Sequence, residues 1–235
     1  MKPKYIVIIF AGFIFLIASC VKNSDYIIND GLNPGTIIKF SSITPNTALA
    51  DSNTEIVIRV AINSNTDSAE NVMLTTSSGT INGKLNSESM SVNVNRFADF
   101  IFKTGQISGP ISLRASIMGS YFCDTVLTLG IAYPDTIIIQ PDEYTVSGGS
   151  ALHANINFMR YEGYPSQGQA VLLNCVDPSG NSLGQFTYSD SFVPGTPLKA
   201  VFTAPTSYTG KALLQAFVIK KDGTRLLGQL NITIQ

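Results

Sequence analysis

Apolar and polar residues alternate along most of this chain. Ile56, Ile58, Val60 and Ile62 share one phase of a period of two, and Glu55, Arg59 and Asn63 share the other. Met90, Val92 and Val94 alternate in the same way with Ser91, Asn93 and Asn95. Successive side chains of a strand point to opposite faces, so these runs predict short strands with one face buried. Turn residues punctuate them. Ser77-Ser78-Gly79, Asp177-Pro178-Ser179-Gly180 and Lys221-Asp222-Gly223 read as hairpin turns, in which glycine accepts positive φ at no steric cost. Beyond residue 20 no stretch keeps a helical period with caps.

The pattern then returns at a spacing of roughly 100 residues, a sign of tandem modules. Asp51 to Ile62 reappears in outline as Gly148 to Phe158, and Glu70 to Ile81 as Gln169 to Gly180. Ile101-Phe102 and Leu113-Arg114-Ala115 match Val201-Phe202 and Leu214-Gln215-Ala216. Each copy ends in an alternating strand, Thr125 to Ile131 and Gln229 to Ile234. About seven short strands in about 100 residues bury enough apolar surface only as two packed sheets. The predicted fold is therefore all-β, with two tandem immunoglobulin-like β-sandwiches over residues 36–133 and 134–235. Ala132-Tyr133-Pro134-Asp135 forms a short linker of limited hinge freedom.

Phe102, Gly105, Gly109, Leu113 and Ala115 in the first copy answer to Phe202, Gly210, Leu214 and Ala216 in the second. This spacing resembles the bacterial Ig-like domains of the invasin and intimin type, and Asp177 to Gly180 is similar to a turn of macroglobulin-type sandwiches. The resemblance implies a fold and no chemistry. The chain departs from large adhesins in carrying two such modules, without a recognisable lectin tip or barrel anchor.

The first 20 residues follow a different pattern. Lys2 and Lys4 precede an apolar run from Tyr5 to Ile17, and Leu16-Ile17-Ala18-Ser19-Cys20 ends it in small residues. The run is too short for a membrane span and reads as a secretory signal. Its Cys resembles that of a bacterial lipoprotein signal. The resemblance implies that residues 1–19 are removed, that Cys20 carries covalent lipid as a membrane anchor, and that residues 20–35 are a tether. Residue 21 is Val rather than Asp, which in such lipoproteins favours the outer membrane, with its periplasmic and surface sides both open.

Composition narrows the function. Fifteen basic residues against 16 acidic ones leave no field to steer nucleic acid, and 44% hydrophobic residues exclude disorder as the default state. Only 13% of residues are charged, a surface suited to a protein that works docked. Cys123 and Cys175 share phases with core residues of different copies, so two separate buried thiols are expected, a disulfide being the alternative. No metal-ligand cluster is visible, since His153 is the single histidine, and its phase turns it to solvent. Neither a nucleophile motif nor a cofactor motif appears, and no enzyme or cofactor is expected. Asp135, Asp142 and Glu143 fall near the linker in sequence and are the one calcium candidate weighed, with solvated turn charges favoured.

The candidate contact residues are aromatic. Tyr161 and Tyr164 lie in one loop with Arg160 and Glu162, and Tyr208 lies in Ser207-Tyr208-Thr209-Gly210. Such loop aromatics suit a protein or glycan partner. Asp67-Ser68-Ala69, Asp124-Thr125-Val126 and Asp135-Thr136-Ile137 fit a loose bacterial O-glycosylation triplet. Ser68 is the best candidate among them, and Thr125 is expected to face inward. The resulting expectation is a non-catalytic binding or structural lipoprotein. A glycan-binding surface lipoprotein and a periplasmic accessory subunit of an envelope complex are its alternatives.

Overall fold

The computed structural model describes residues 37–63, 71–117, 119 and 121–235. Cys20, the signal peptide, the tether and Ser68 lie outside the described residues. Sandwich 1 contains β1 (Ile38–Thr44), β2 (Ala48–Leu49), β3 (Glu55–Ile62), β4 (Asn71–Ile81), β5 (Lys84–Ser91), β6 (Phe97–Lys103), β7 (Gly109–Ile117) and β8 (Tyr121–Gly130). Sandwich 2 contains β9 (Thr136–Pro141), β10 (Thr145–Val146), β11 (Ala151–Met159), β12 (Val171–Val176), β13 (Gln185–Tyr188), β14 (Leu198–Thr203), β15 (Gly210–Ile219) and β16 (Arg225–Ile234).

Sandwich 2 packs a sheet of order β13-β14-β11-β9 on one of order β10-β16-β15-β12. That is the two-sheet Ig-like arrangement expected from the alternation. Leu152, Ala154, Ile156 and Phe158 line its core from β11, and Ala212, Leu214, Ala216 and Val218 from β15. Sandwich 1 repeats the plan with two differences: β5 pairs with β4, whereas its counterpart β13 pairs with β14, and the two sheets are joined. Its sheets join into a single path, β1-β3-β6-β4-β7-β8-β2, because β4 changes partner along its length. Val72 to Thr76 pair with β7, while Thr80 and Ile81 pair with β6.

The switch happens at Gly79, which corrects the expected turn at Ser77 to Gly79. These residues lie inside β4, and the hairpin closes at Asn82-Gly83, with φ of +49° and +80°. Two successive positive φ angles suit the right-handed twist of paired strands, which favours Asn-Gly there. Val94 is also corrected. β5 ends at Ser91, so Val94 sits in the following turn and is 94% exposed. Thr125 is half-buried rather than fully inward.

Both cysteines are buried, Cys123 in the core of sandwich 1 and Cys175 in that of sandwich 2, and they are not bonded to each other. Burial pushes the Cys175 thiol up to about 12. His153 lies exposed on β11, as its phase indicates.

Candidate binding site at the domain junction

The junction is built from main-chain groups. Strand β11 ends at Met159, and the next ten residues fold back over the end of sandwich 1. Tyr164 N–H donates to the Asp51 carbonyl at 2.8 Å, and Gln167 N–H to the Gln106 carbonyl at 2.8 Å. Ser166 is fully buried between the two bodies. Its hydroxyl donates to the Ala50 carbonyl at 2.9 Å and accepts from Ala132 N–H at 2.8 Å, while its own N–H donates to the Ala132 carbonyl. Gln169 Nε2 donates to the carbonyls of Ala132 and Ser166, both at 2.9 Å. Gly163, at φ +69°, lets the loop lie close on sandwich 1, since a Cβ there would stand 2.5 Å from the Asp51 carbonyl oxygen.

Asp51 organises the other side. Its carboxylate accepts from the N–H groups of Asn53 and Thr54 and from the hydroxyls of Thr54 and Thr104, at 2.8–3.1 Å. Burial raises its affinity for a proton, but these four donors outweigh burial and hold the carboxyl below its ordinary value. The turn that receives the second domain is thereby held by donors of its own sandwich.

The linker is clamped as well. Arg160 Nη1 donates to the Tyr133 carbonyl at 2.8 Å, and its Nε donates to the Glu162 carbonyl at 3.1 Å. Asp135 Oδ2 accepts from Tyr161 N–H at 2.9 Å, and the Tyr133 hydroxyl accepts from Lys221 N–H at 2.7 Å. Lys220 Nζ lies 5.9 Å from the Tyr133 ring centroid.

The aromatic candidates separate into two places. Tyr164 and Arg160 line a cleft of about 230 Å³ whose wall includes Phe158, Phe192 and Val193. Phe158 and Phe192 stack with ring centroids 4.1 Å apart. Tyr161 stands beside this cleft, 88% exposed, and Tyr164 is 49% exposed. Tyr208 is at the opposite end of sandwich 2, beyond the end of β14 that pairs with the start of β11. Its hydroxyl donates to the Lys211 carbonyl at 2.5 Å and its ring packs on the core. Arg160 spends two donors on carbonyls, so within this set Tyr161 and Tyr164 keep the free contact area. The carboxylates weighed for calcium do not converge. Asp135 is at the junction, whereas Asp142 and Glu143 follow β9 at the far end of the sandwich, about 20 Å away for a six-residue strand. Among the described residues no three His, Cys, Asp or Glu side chains gather into a metal site.

Sequence reasoning found the aromatic loop but not its clamping role, which rests on Ser166, Gln169 and Asp51. Main-chain groups supply one or both partners of nearly every bond in it, and they leave no periodic signal. The one available hint is Asp51-Ser52-Asn53-Thr54, a carboxylate poised to accept from the next residues' N–H groups.

With this geometry in place, the chain is defined as two tandem Ig-like β-sandwiches, and in fold it is similar to solved bacterial adhesin structures. The Yersinia pseudotuberculosis adhesin InvE is 14% identical with a TM-score of 0.58, the match covering 87% of this chain and 60% of that one. Invasin, a bacterial integrin-binding protein, is 14% identical with a TM-score of 0.57, over 84% of this chain and 39% of that one. At such identity the likeness is one of fold. No protein-family model matches the chain, and no curated protein matches it.

Proposed function

We propose that this is a lipid-anchored protein of the bacterial outer membrane whose two Ig-like domains serve a non-catalytic binding or structural role at the cell envelope. The observation that carries this is the junction. Residues 160–169 bond to two separate segments of sandwich 1 and to the linker at Ala132, which makes the pair a stiff spacer rather than two beads on a string. Ile37, where the described chain begins, lies at the end of sandwich 1 away from sandwich 2, because Ile38 pairs with the last residue of β3. A lipid on Cys20 would therefore hold that end, and the second sandwich would stand off from the membrane toward a protein or glycan partner. One lipid chain binds a bilayer marginally and two or more bind it stably, so acylation of the thiol and of the new N-terminus suits permanent anchoring.

A second reading has its own observation. The cleft beside Tyr161 and Tyr164 combines exposed aromatic surface with an apolar wall, a fit for a sugar ring. Treating intact cells with an external protease and blotting the chain tests where the domains work. Degradation supports a surface role, including glycan binding, which loss of glycan retention in a Tyr161→Ala, Tyr164→Ala double variant would confirm. Protection until the outer membrane is opened supports an accessory role toward periplasmic partners instead. A chain recovered without lipid in the soluble fraction would overturn the anchor.

A further inference from the structure

The two sandwiches provide an internal comparison at one surface. In sandwich 1, the outer face of β7 and β8 carries Arg114 opposite Asp124. They form a two-pronged ion pair at 2.7 and 2.9 Å, and the guanidinium lies 4.3 Å from the Phe122 ring centroid. This pair puts charge at the centre of a face that also carries exposed Met73 and Val126. Leu214 and Ala216 answer to Leu113 and Ala115, so Gln215 takes the place of Arg114, and its cross-strand partner Gln229 takes the place of Asp124. Phe217 likewise stands where sandwich 1 has Ser116. The second copy has exchanged a solvated ion pair for two neutral amides and a serine for an aromatic ring.

The row beside this one is apolar at both ends in each copy, Met73, Ser116 and Phe122 in the first, and gains a ring at its centre in the second. Register places Leu172, Phe217 and Leu227 side by side in one row, with Leu172 and Leu227 47% and 40% exposed. The next row is Asn174, Gln215 and Gln229, and the one after it is Val176, Leu213 and Asn231. A shallow hollow lies over Leu172, Asn174, Gln215 and Phe217, and Arg225 closes one corner of it. An apolar row and a mixed row flank the amide row, and the Arg225 guanidinium lies over Phe217, 5.8 Å from the ring centroid.

We infer that this face of sandwich 2 is a docking surface for a second copy of the chain. An amide both donates and accepts, so a row of amides is complementary to itself, which a row of like charges is not. A two-fold axis running along β15 lays each row on its own copy. Leu172 then faces Leu227 of the second copy, the two Phe217 rings meet near the axis, and Asn174 faces Gln229 across the paired Gln215 amides. An axis across the strands would set the Leu172 row against the more polar Val176 row, so the arrangement along β15 is preferred. It keeps the two chains parallel, with both Ile37 ends on the same side. Lys211, four residues from Gln215 and about 13 Å along the strand, stays at the rim, where sheet twist splays the faces.

The size of the surface sets the strength. Nine outward positions, about 6.7 Å apart along the strand and about 4.8 Å apart between strands, give a footprint of about 300 Å² per copy, well below the value of about 800 Å² per partner for a standard stable interface. A weak, reversible dimer follows, one that confinement on a surface would strengthen through effective concentration. The inference stands on the face itself and does not depend on the anchor.

The test uses the full-length chain purified in detergent. Gln215→Cys, Arg114→Cys and the unaltered chain are each treated with a short bismaleimide, and self-association is followed by sedimentation velocity. The expected result is a covalent dimer several-fold more abundant for Gln215→Cys than for either control. Gln215→Glu, which sets two carboxylates face to face at the axis, should weaken the dimer by about tenfold or more while leaving the thermal midpoint in place. Crosslinking of Gln215→Cys at the level of Arg114→Cys, sedimenting species larger than a dimer, or self-association unmoved by Gln215→Glu would each overturn it.

Discussion

At the scale of single residues, the repeat shows itself most clearly in a contact between a glycine and a phenylalanine. A Cβ on Gly79 would stand 2.5 Å from the Lys103 carbonyl oxygen and 2.7 Å from the Phe102 ring. One on Gly184 would collide with the Thr203 carbonyl and stand 2.6 Å from the Phe202 ring. Both glycines have positive φ, +84° and +59°. Gly83 has φ +80° with nothing within 4 Å, so it isolates the backbone cost from the packing cost. Gly83→Ala should therefore cost about 1 kcal/mol, whereas Gly79→Ala and Gly184→Ala should each cost about 3 kcal/mol or more through added overpacking. Chemical denaturation of the three variants checks the order. Asp51 gives a pH-dependent counterpart. Its carboxyl is held below its ordinary value of 3.8, so its stabilisation is complete above that value and is lost as pH falls through the folded one. Asp51→Asn should lower the urea midpoint at neutral pH, and the gap to the parent should close as pH drops below about 4.

At the scale of elements, the decisive piece is the loop between β11 and β12. Ser166→Ala leaves Ala132 N–H without its acceptor and the Ala50 carbonyl without its donor, both at a buried seam, at a cost of about 1–3 kcal/mol. Gly163→Ala pushes the same loop off the Asp51 carbonyl. In both variants the amides of Tyr164, Ser166 and Gln167 should exchange hydrogen faster, while those in the middle of β11 should not, a local opening that hydrogen exchange reads directly. This loop also marks how far the sequence is legible. Strands such as β3, β11, β15 and β16 follow from period-two phase, and the pairing of Phe102 with Phe202 and of Leu113 with Leu214 gave the register of the repeat. The Asn82-Gly83 turn was equally readable, but Ser77 to Gly79 competed for it, because a glycine that lets a strand change sheets looks like a glycine that turns a hairpin. The clamp was not readable. Its bonds join groups far apart in sequence, as from the Ser166 hydroxyl to the Ala50 carbonyl 116 residues away, and such contacts exist only once both sandwiches have formed.

At the scale of the whole molecule, the three cysteines turn the proposed anchor into a counting problem. Cys123 and Cys175 are buried in separate cores, 3% and 0% exposed, and burial raises the Cys175 thiol to about 12, so at neutral pH almost none of it is thiolate. The thiolate is the nucleophile in alkylation and disulfide exchange, so a folded and reduced chain should leave both unreacted with a maleimide. Unfolding exposes both. Cys20 responds differently in the two possible states. If its sulfur carries a thioether-linked lipid, it reacts under neither condition, whereas a bare Cys20 remains a thiol after reduction and unfolding. Protein isolated from its native membrane, reduced and unfolded in denaturant, should therefore take up two maleimides per chain and not three, with Cys20→Ser leaving that count unchanged. The same titration without denaturant should give none. A count of three, or one reactive thiol in the folded chain that disappears in Cys20→Ser, would mean that the sulfur is bare and that the two sandwiches are held at the envelope by something other than lipid.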